Sequence, residues 1–267
     1  MELPQSRQRQ ACLGRVQRWA LRASALTKKA LRLVWRPRLL RALLQYRVAA
    51  ATEHFTLIRH VCPATLLDVG ANKGQFSLAF RALRPGARII AFEPLPEAAD
   101  QYERLFRRDA RAALHRVALM DREGEAEFHV TDRRDSSSLL KPGCGQRDAF
   151  GVRGEVTIRV PVRRLEGYLK SAVLERPILL KIDVQGAELG VLRGCDGLDV
   201  IDFVYVELSF TELYEGQPLY DEVAAYLSGR GFALAGVFNQ VSTVSFGPTQ
   251  ADFLFKRRVP QSTDVSF

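Results

Sequence analysis

Four short apolar runs constrain this chain more than any other feature: residues 65–69 (TLLDV), 88–92 (RIIAF), 178–184 (ILLKIDV) and 200–209 (VIDFVYVELS). Runs of this length, apolar at most positions, mark strands buried on both faces. Helix-length segments lie between them. The patterns predict helices over 75–83, stopped by Pro85-Gly86, and over 96–108, where Pro96 sits in the first turn at no hydrogen-bond cost. Further helices are expected over 187–194 and 218–230. Strand–helix alternation of this kind specifies an α/β fold with a mostly parallel sheet and helices on both faces. Residues 113–119 read as a third strand and 125–131 (EAEFHVT) as an antiparallel one; 155–162, 232–238 and 252–256 complete the set. Residues 132–154 form a long polar stretch, and loops of that length inside a compact domain are usually functional or disordered.

The charge is unevenly placed. The 267 residues carry a net +9. Residues 1–50 hold twelve Lys and Arg against the single acid Glu2, a net +11, and the remainder holds 27 basic and 29 acidic residues, a net −2. The basic character therefore belongs to an N-terminal arm, and it does not make the body a nucleic-acid binder. In the arm Trp19, Ala23, Leu26, Ala30 and Leu33 recur at helical spacing up to Trp35; Pro37 interrupts. A second helix is expected over 38–59, burying Leu40, Leu44, Val48, Ala51 and Phe55. The organisation expected is a helical arm over 1–60, a folded domain over 61–258 and a tail over 259–267. The arm reads either as a solvated helical cap or as a contact for an anionic membrane surface on a cytoplasmic, membrane-peripheral protein. Cys12, Cys62, Cys144 and Cys195 form no C-x-x-C pair, so neither a metal site nor a disulfide framework is expected.

Three places carry chemistry. In LDVGANKG (67–74) a strand delivers the chain to a glycine turn that opens a helix. Gly70 allows close backbone approach and Gly74 close packing, while Asp68 makes the turn unfavourable for a pyrophosphate and favourable for a cationic amino-acid tail. Glu93 ends the next strand, where an acid accepts hydrogen bonds from ribose hydroxyls. A nucleoside with an amino-acid tail fits both, and S-adenosylmethionine is such a molecule. In LLKIDVQGAELG (179–190), Lys181 and Asp183 share one strand face, Asp183 at the end where open α/β sheets bind ligands. Glu188 opens the following helix, as an acceptor-facing group or a dipole partner. Glu207 sits like Asp183 on the next strand.

Taken together, LLDVGANKGQFSLAF, IIAFEPLPE, the SSSL at 136–139 and LLKIDVQGAELGVLRG resemble the FkbM family of S-adenosylmethionine-dependent methyltransferases over about residues 64–240. The resemblance implies a class I methyltransferase (Rossmann-like) fold with a seven-stranded sheet, and O-methylation of a small-molecule or glycan hydroxyl. By position, Asp68, Gly70, Asn72, Gly74, Glu93, Leu95 and the 118–121 turn with Ala118 and Asp121 would line the cofactor site. Asp183 and Glu188 would face the acceptor, with Lys181 tuning or pairing Asp183. Ser136, Ser137 and Ser138, with Glu207, would hydrogen-bond the acceptor, and 132–154 would cover it. Gln185 departs from the Glu common in the family. The competing readings are an RNA methyltransferase using the basic arm, for which nothing in the body speaks, and a non-catalytic membrane-peripheral module. His115 and His129 are alternative bases to Asp183, though a lone His on a strand is more often structural; His54 and His60 lie before the core and have weaker claims.

Overall fold

The computed structural model describes residues 36–258. The expected first arm helix and the tail over 259–267 lie outside them. Helix α1 (Pro37–Tyr46) comes first, then a 3-10 turn (Thr52–His54) and α2 (Phe55–Val61). The core begins with β1 (Thr65–Val69), α3 (Gln75–Leu83), β2 (Arg88–Phe92), α4 (Pro96–Phe106) and β3 (Ala112–His115). Next come β4 (Ala118–Leu119), β5 (Gly124–Thr131), α5 (Cys144–Phe150), β6 (Glu155–Arg163) and α6 (Leu165–Ser171). The chain continues through β7 (Ile178–Ile182), α7 (Glu188–Arg193), β8 (Phe203–Ser209) and α8 (Tyr220–Gly229) to the hairpin of β9 (Phe232–Thr243) and β10 (Gly247–Arg257).

Seven strands form one sheet in the order β3-β2-β1-β7-β8-β10-β9. The first five run parallel, and β10 pairs antiparallel with both β8 and β9. The order reverses at the β1–β7 junction, and open sheets of this kind bind ligands at the strand ends beside such a switch. Alternation sorts side chains between the two faces. Leu67, Leu180, Ile182, Val204 and Val206 belong to the core cluster that also contains Leu189 and Leu192 of α7 and Val223 of α8. Leu66, Leu179, Tyr205 and Leu254 belong to the opposite cluster, with Leu39, Phe55 and Phe80 from the helices on that side. Lys181 and Asp183, Tyr205 and Glu207, and Asp252 follow the second face toward the end of the sheet. The register binds them together: Lys181 is opposite Asp68 on one side and Tyr205 on the other, and Asp252 is opposite Glu207.

The expected sheet is present, with five corrections around it. The continuous helix over 38–59 is two helices. Arg47 adopts a left-handed conformation (φ 55°) and closes α1, its N–H donating to the Leu43 carbonyl and the Val48 N–H to the Ala42 carbonyl. Leu39 and Ala42, not Leu40 and Leu44, face the core, and Leu44 is 74% exposed. A single helical period fitted across the break merged two separate stripes. The strand expected over 113–119 is divided between sheets: β3 pairs with β2, while β4 joins a small sheet of order β4-β6-β5. No glycine or proline between Ala112 and Leu119 marks the change of partner. Residues 132–154 contain a 3-10 turn and α5, and Ser138 pairs with His129 through both backbone bonds, at 2.7 and 3.1 Å. Helix α6 was not anticipated. The folded body also takes in α1 and α2, because Leu39, Val48, Ala50 and Ile58 are buried with the core.

Candidate active site

A cavity of about 320 Å³ opens at the carboxyl ends of β1, β2, β7 and β8. Its first wall is the β1–α3 turn. Gly70 has φ +72°, and a Cβ there would lie 1.9 Å from the Asp183 carbonyl oxygen. The glycine is thus required where the ends of β1 and β7 meet, and it also lines the cavity. Gly74 (φ +88°) packs against Tyr102 and Phe106 of α4 and lies behind the cavity. The turn's amides are committed. Gly70 and Ala71 N–H donate to the Phe92 carbonyl, Asn72 N–H to Glu93 Oε2, and Lys73 N–H to Asn72 Oδ1. A phosphate would find no free cradle of backbone N–H groups here.

Glu93 is the acid of the second wall. Its two oxygens accept the Asn72 and Leu95 amides, each at 2.8 Å, which fixes the carboxylate at the cavity edge. Burial pushes its pKa up to about 7 against the pull of those two bonds. Beside it Phe92, Leu95, Val117, Ala118, Leu119 and Phe128 form an apolar slot. A flat heterocycle next to a hydrogen-bonding acid is what this half accommodates.

The opposite half is polar. Asp183 Oδ1 accepts the Gln185 amide at 2.8 Å, and the same amide nitrogen donates to Glu207 Oε2 at 2.9 Å. Gln185 holds a left-handed backbone (φ 58°), which aims its side chain between two carboxylates. A glutamate there would add a third negative charge and remove both bonds. Burial, with Asp183 adding repulsion, pushes the Glu207 carboxyl well above its ordinary range. His54, Tyr205, Asn239 and Asp252 complete this wall. Tyr205 O–H and the Asn239 amide both donate to Asp252 Oδ2 at 2.7 Å.

Lys181 stands behind the junction of the halves. Its ammonium donates to the Gly70 carbonyl at 2.8 Å and lies 3.2 Å from Asp68 Oδ1 and 3.8 Å from Asp183 Oδ2. Burial alone would lower its pKa, but Asp68 and then Asp183 outweigh it and hold the group cationic. Asp68 is fully buried, receives Ser77 O–H at 2.6 Å, and does not line the cavity. It acts on the turn through Lys181, which corrects the expectation that it meets a ligand's tail directly.

Other expected residues also fall outside the cavity. Glu188 is 2% exposed and accepts the Gly186 N–H at 2.9 Å, clamping the loop after β7; burial pushes it up to about 7. It does not face an acceptor. Asp121 is exposed on the surface beside Arg122. Ser136 is buried, its carbonyl accepting Tyr214 O–H, and Ser138 Oγ donates to the Gln185 carbonyl at 2.7 Å. Of the three serines Ser137 lines the cavity. Conversely, Tyr205, Asn239 and Asp252 are not marked by the sequence motifs, and His54 ranks there only as a weak candidate base. Asp252 had a readable signal, an acid inside the apolar run ADFLF, the same argument that selected Asp183.

Strand order, switch point and a cavity at the strand ends with a buried acid at its edge are those of a class I S-adenosylmethionine-dependent methyltransferase. The family model for the methyltransferase FkbM domain matches residues 68–234, more than half of the sequence, and the chain belongs to that family. It is 37% identical over 160 residues to 2-O-methyltransferase NoeI of Sinorhizobium fredii (strain NBRC 101917 / NGR234), covering 57% of this chain and 66% of that protein. It is 30% identical over 189 residues to Methyltransferase 1 of Beauveria bassiana (strain ARSEF 2860), covering 64% and 72%. Among solved structures, TehB from Haemophilus influenzae overlays with a TM-score of 0.47 at 7% identity, over 83% of this chain and 67% of that one. No helix among the described residues is long and apolar enough to cross a membrane.

Proposed function

We propose that this methyltransferase transfers the methyl group to a hydroxyl of a small molecule or glycan. The observation that carries the reading is the division of one cavity into an apolar slot with Glu93 and a carboxylate- and amide-lined half. Hydroxyl groups are strong hydrogen-bond donors, and Asp183 and Glu207, bridged by the Gln185 amide, present carboxyl acceptors to a polyol at close spacing. The likeness to a 2-O-methyltransferase supports the same acceptor chemistry.

In this reading Glu93 receives the cofactor's ribose hydroxyls, and Phe92, Leu95 and Ala118 flank its adenine. The amino-acid end lies toward the 69–72 turn. When bound, S-adenosylmethionine supplies an electrophilic methyl group on a sulfonium sulfur. The protein's part is alignment and proton removal. Asp183 is fixed between the Gln185 amide and the Lys181 ammonium, with lone pairs left to orient the acceptor hydroxyl. A screen of methyl transfer from labelled S-adenosylmethionine to methyl glycosides tests the reading. Label in base-stable methyl ethers is the expected result; label found in RNA or in amines instead would contradict it. The +11 arm is proposed to dock on an anionic membrane surface, tested by flotation of anionic liposomes with the full chain and with a chain lacking residues 1–35. Equal flotation of the two would refute it.

A further inference from the structure

The acceptor half contains a histidine that lies outside the matched family region, as do its partners Asn239 and Asp252. The 3-10 turn ending at His54 is anchored by the Ala51 N–H on the Gln75 carbonyl and the His54 N–H on the Ala51 carbonyl. The ring is held against Phe76 and Tyr205, at centroid separations of 5.0 and 5.6 Å. Its Nδ1 lies 2.9 Å from Tyr205 Oη, 3.2 Å from Asn239 Nδ2 and 3.6 Å from Asp252 Oδ2. Among the described residues no hydrogen bond engages Nε2.

The hydrogen-bond inventory chooses the tautomer. Tyr205 has one hydroxyl hydrogen, and it goes to Asp252 at 2.7 Å. The Asn239 amide gives one hydrogen to Asp252 and has its second within 3.3 Å of Tyr205 Oη. If Nδ1 carries the imidazole proton, it donates to Tyr205 Oη, and every donor in the group finds an acceptor. If Nδ1 is bare, Tyr205 Oη loses that donor, and the second Asn239 hydrogen must turn to Nδ1 instead. The first arrangement makes one bond more, in a buried setting where an unmade bond is costly. It leaves Nε2 with a free lone pair.

We propose that His54 Nε2 is the proton acceptor in methyl transfer, with Tyr205 and Asp252 as positioning residues that fix its tautomer. The proposal rests on the hydroxyl-acceptor reading above. The acceptor O–H bond breaks and its proton passes to Nε2; the oxygen forms the new bond to the methyl carbon as the carbon–sulfur bond breaks. The products are a methyl ether, S-adenosylhomocysteine and an imidazolium that later releases its proton to water. The positive charge that leaves sulfur ends on His54, 3.6 Å from Asp252. The groups facing the ring are Asp252, Glu53, Lys181 and Asp183. Burial pushes the imidazole below its ordinary value, opposed by Asp252 and Glu53. His54 is therefore neutral at pH 7, the form a base requires.

The first test reads the tautomer on the full chain with no ligand added, by long-range proton–nitrogen correlation of ¹⁵N-histidine-labelled protein. The four histidines are assigned with single His→Gln variants. A neutral His54 protonated on Nδ1 at pH 7.5 is expected, with its pKa falling further in Asp252→Asn. An Nε2-protonated ring, or an imidazolium at that pH, overturns the proposal. The second test follows methyl transfer to the methyl glycosides. His54→Gln should lower kcat by at least ~100-fold, the usual worth of a general base, with calorimetric affinity for S-adenosylmethionine changed by less than about threefold. His60→Gln, at an exposed position away from the cavity, should match wild type. An active wild type with an equally active His54→Gln overturns the role of His54 alone. A wild type that labels none of the glycosides overturns the hydroxyl-acceptor reading instead.

Discussion

The two halves of the cavity are built in different ways. The apolar half, proposed to hold the cofactor, draws Gly70, Asn72, Glu93 and Leu95 from one β–α–β unit, and short backbone hydrogen bonds close it. The polar half, proposed to hold the acceptor, gathers His54, Asp183, Gln185, Glu207, Asn239 and Asp252 from five separate places in the chain. The first is fixed by local geometry and tolerates little change; the second is fixed by sheet register, which brings Lys181, Tyr205, Glu207 and Asp252 onto one face. A fold made this way keeps one cofactor while residues on separate elements redefine the acceptor.

Variants at the junction should damage both halves. Lys181→Met strips the partner from the fully buried Asp68, and breaking such a pair costs about 3–5 kcal/mol. Chemical denaturation should show that loss, and Asp68→Asn added to it should recover most of the stability. Gly70→Ala forces a side chain to within 1.9 Å of the Asp183 carbonyl. It should weaken both cofactor and acceptor binding by more than ~10-fold, the loss expected when backbone strain exceeds ~1.4 kcal/mol. Gln185→Glu confronts Asp183 and Glu207 with a third carboxylate. It should lower kcat and move the pH profile while leaving cofactor affinity nearly unchanged; a fall in cofactor affinity equal to the fall in kcat would mean that the halves are not separable.

The smallest effect is on stability against pH. Glu93 and Glu188 are each raised from 4.5 to about 7 by burial. Above pH 4.5 the unfolded chain has already released these protons while the folded chain retains them, so unfolding is favoured as pH rises. Both groups should contribute a decline in stability between about pH 4.5 and 7. Glu93→Gln should flatten part of that decline, as thermal unfolding across this pH range would show. An unchanged pH dependence in this variant would show that Glu93 ionises normally.

The contrast between the halves also explains what could be read in advance. The parallel sheet, the β1–α3 turn and Glu93 were legible because each follows from contiguous residues and their spacing. Asp183 and Glu207 were legible as charges in apolar strands. That Asp68 and Glu188 point away from the cavity was not legible, because a motif gives residue types and not the direction a side chain faces. His54 carries little weight on sequence because it precedes the strand–helix alternation, and the break at Arg47 before it has no glycine or proline to announce it. Asn239 reaches the site only through the length of the β9–β10 hairpin, a tertiary fact.

The central claim is that cofactor and acceptor are held by separate halves meeting at one reacting centre. Calorimetric titration of S-adenosylmethionine into wild type, Glu93→Gln and Asp183→Asn tests it most directly. Glu93→Gln should lose about tenfold in affinity, the worth of a hydrogen bond to a charged group. Asp183→Asn, which keeps its size, should bind as wild type does while methyl transfer falls. Equal losses in both variants, or none in Glu93→Gln, would contradict the account.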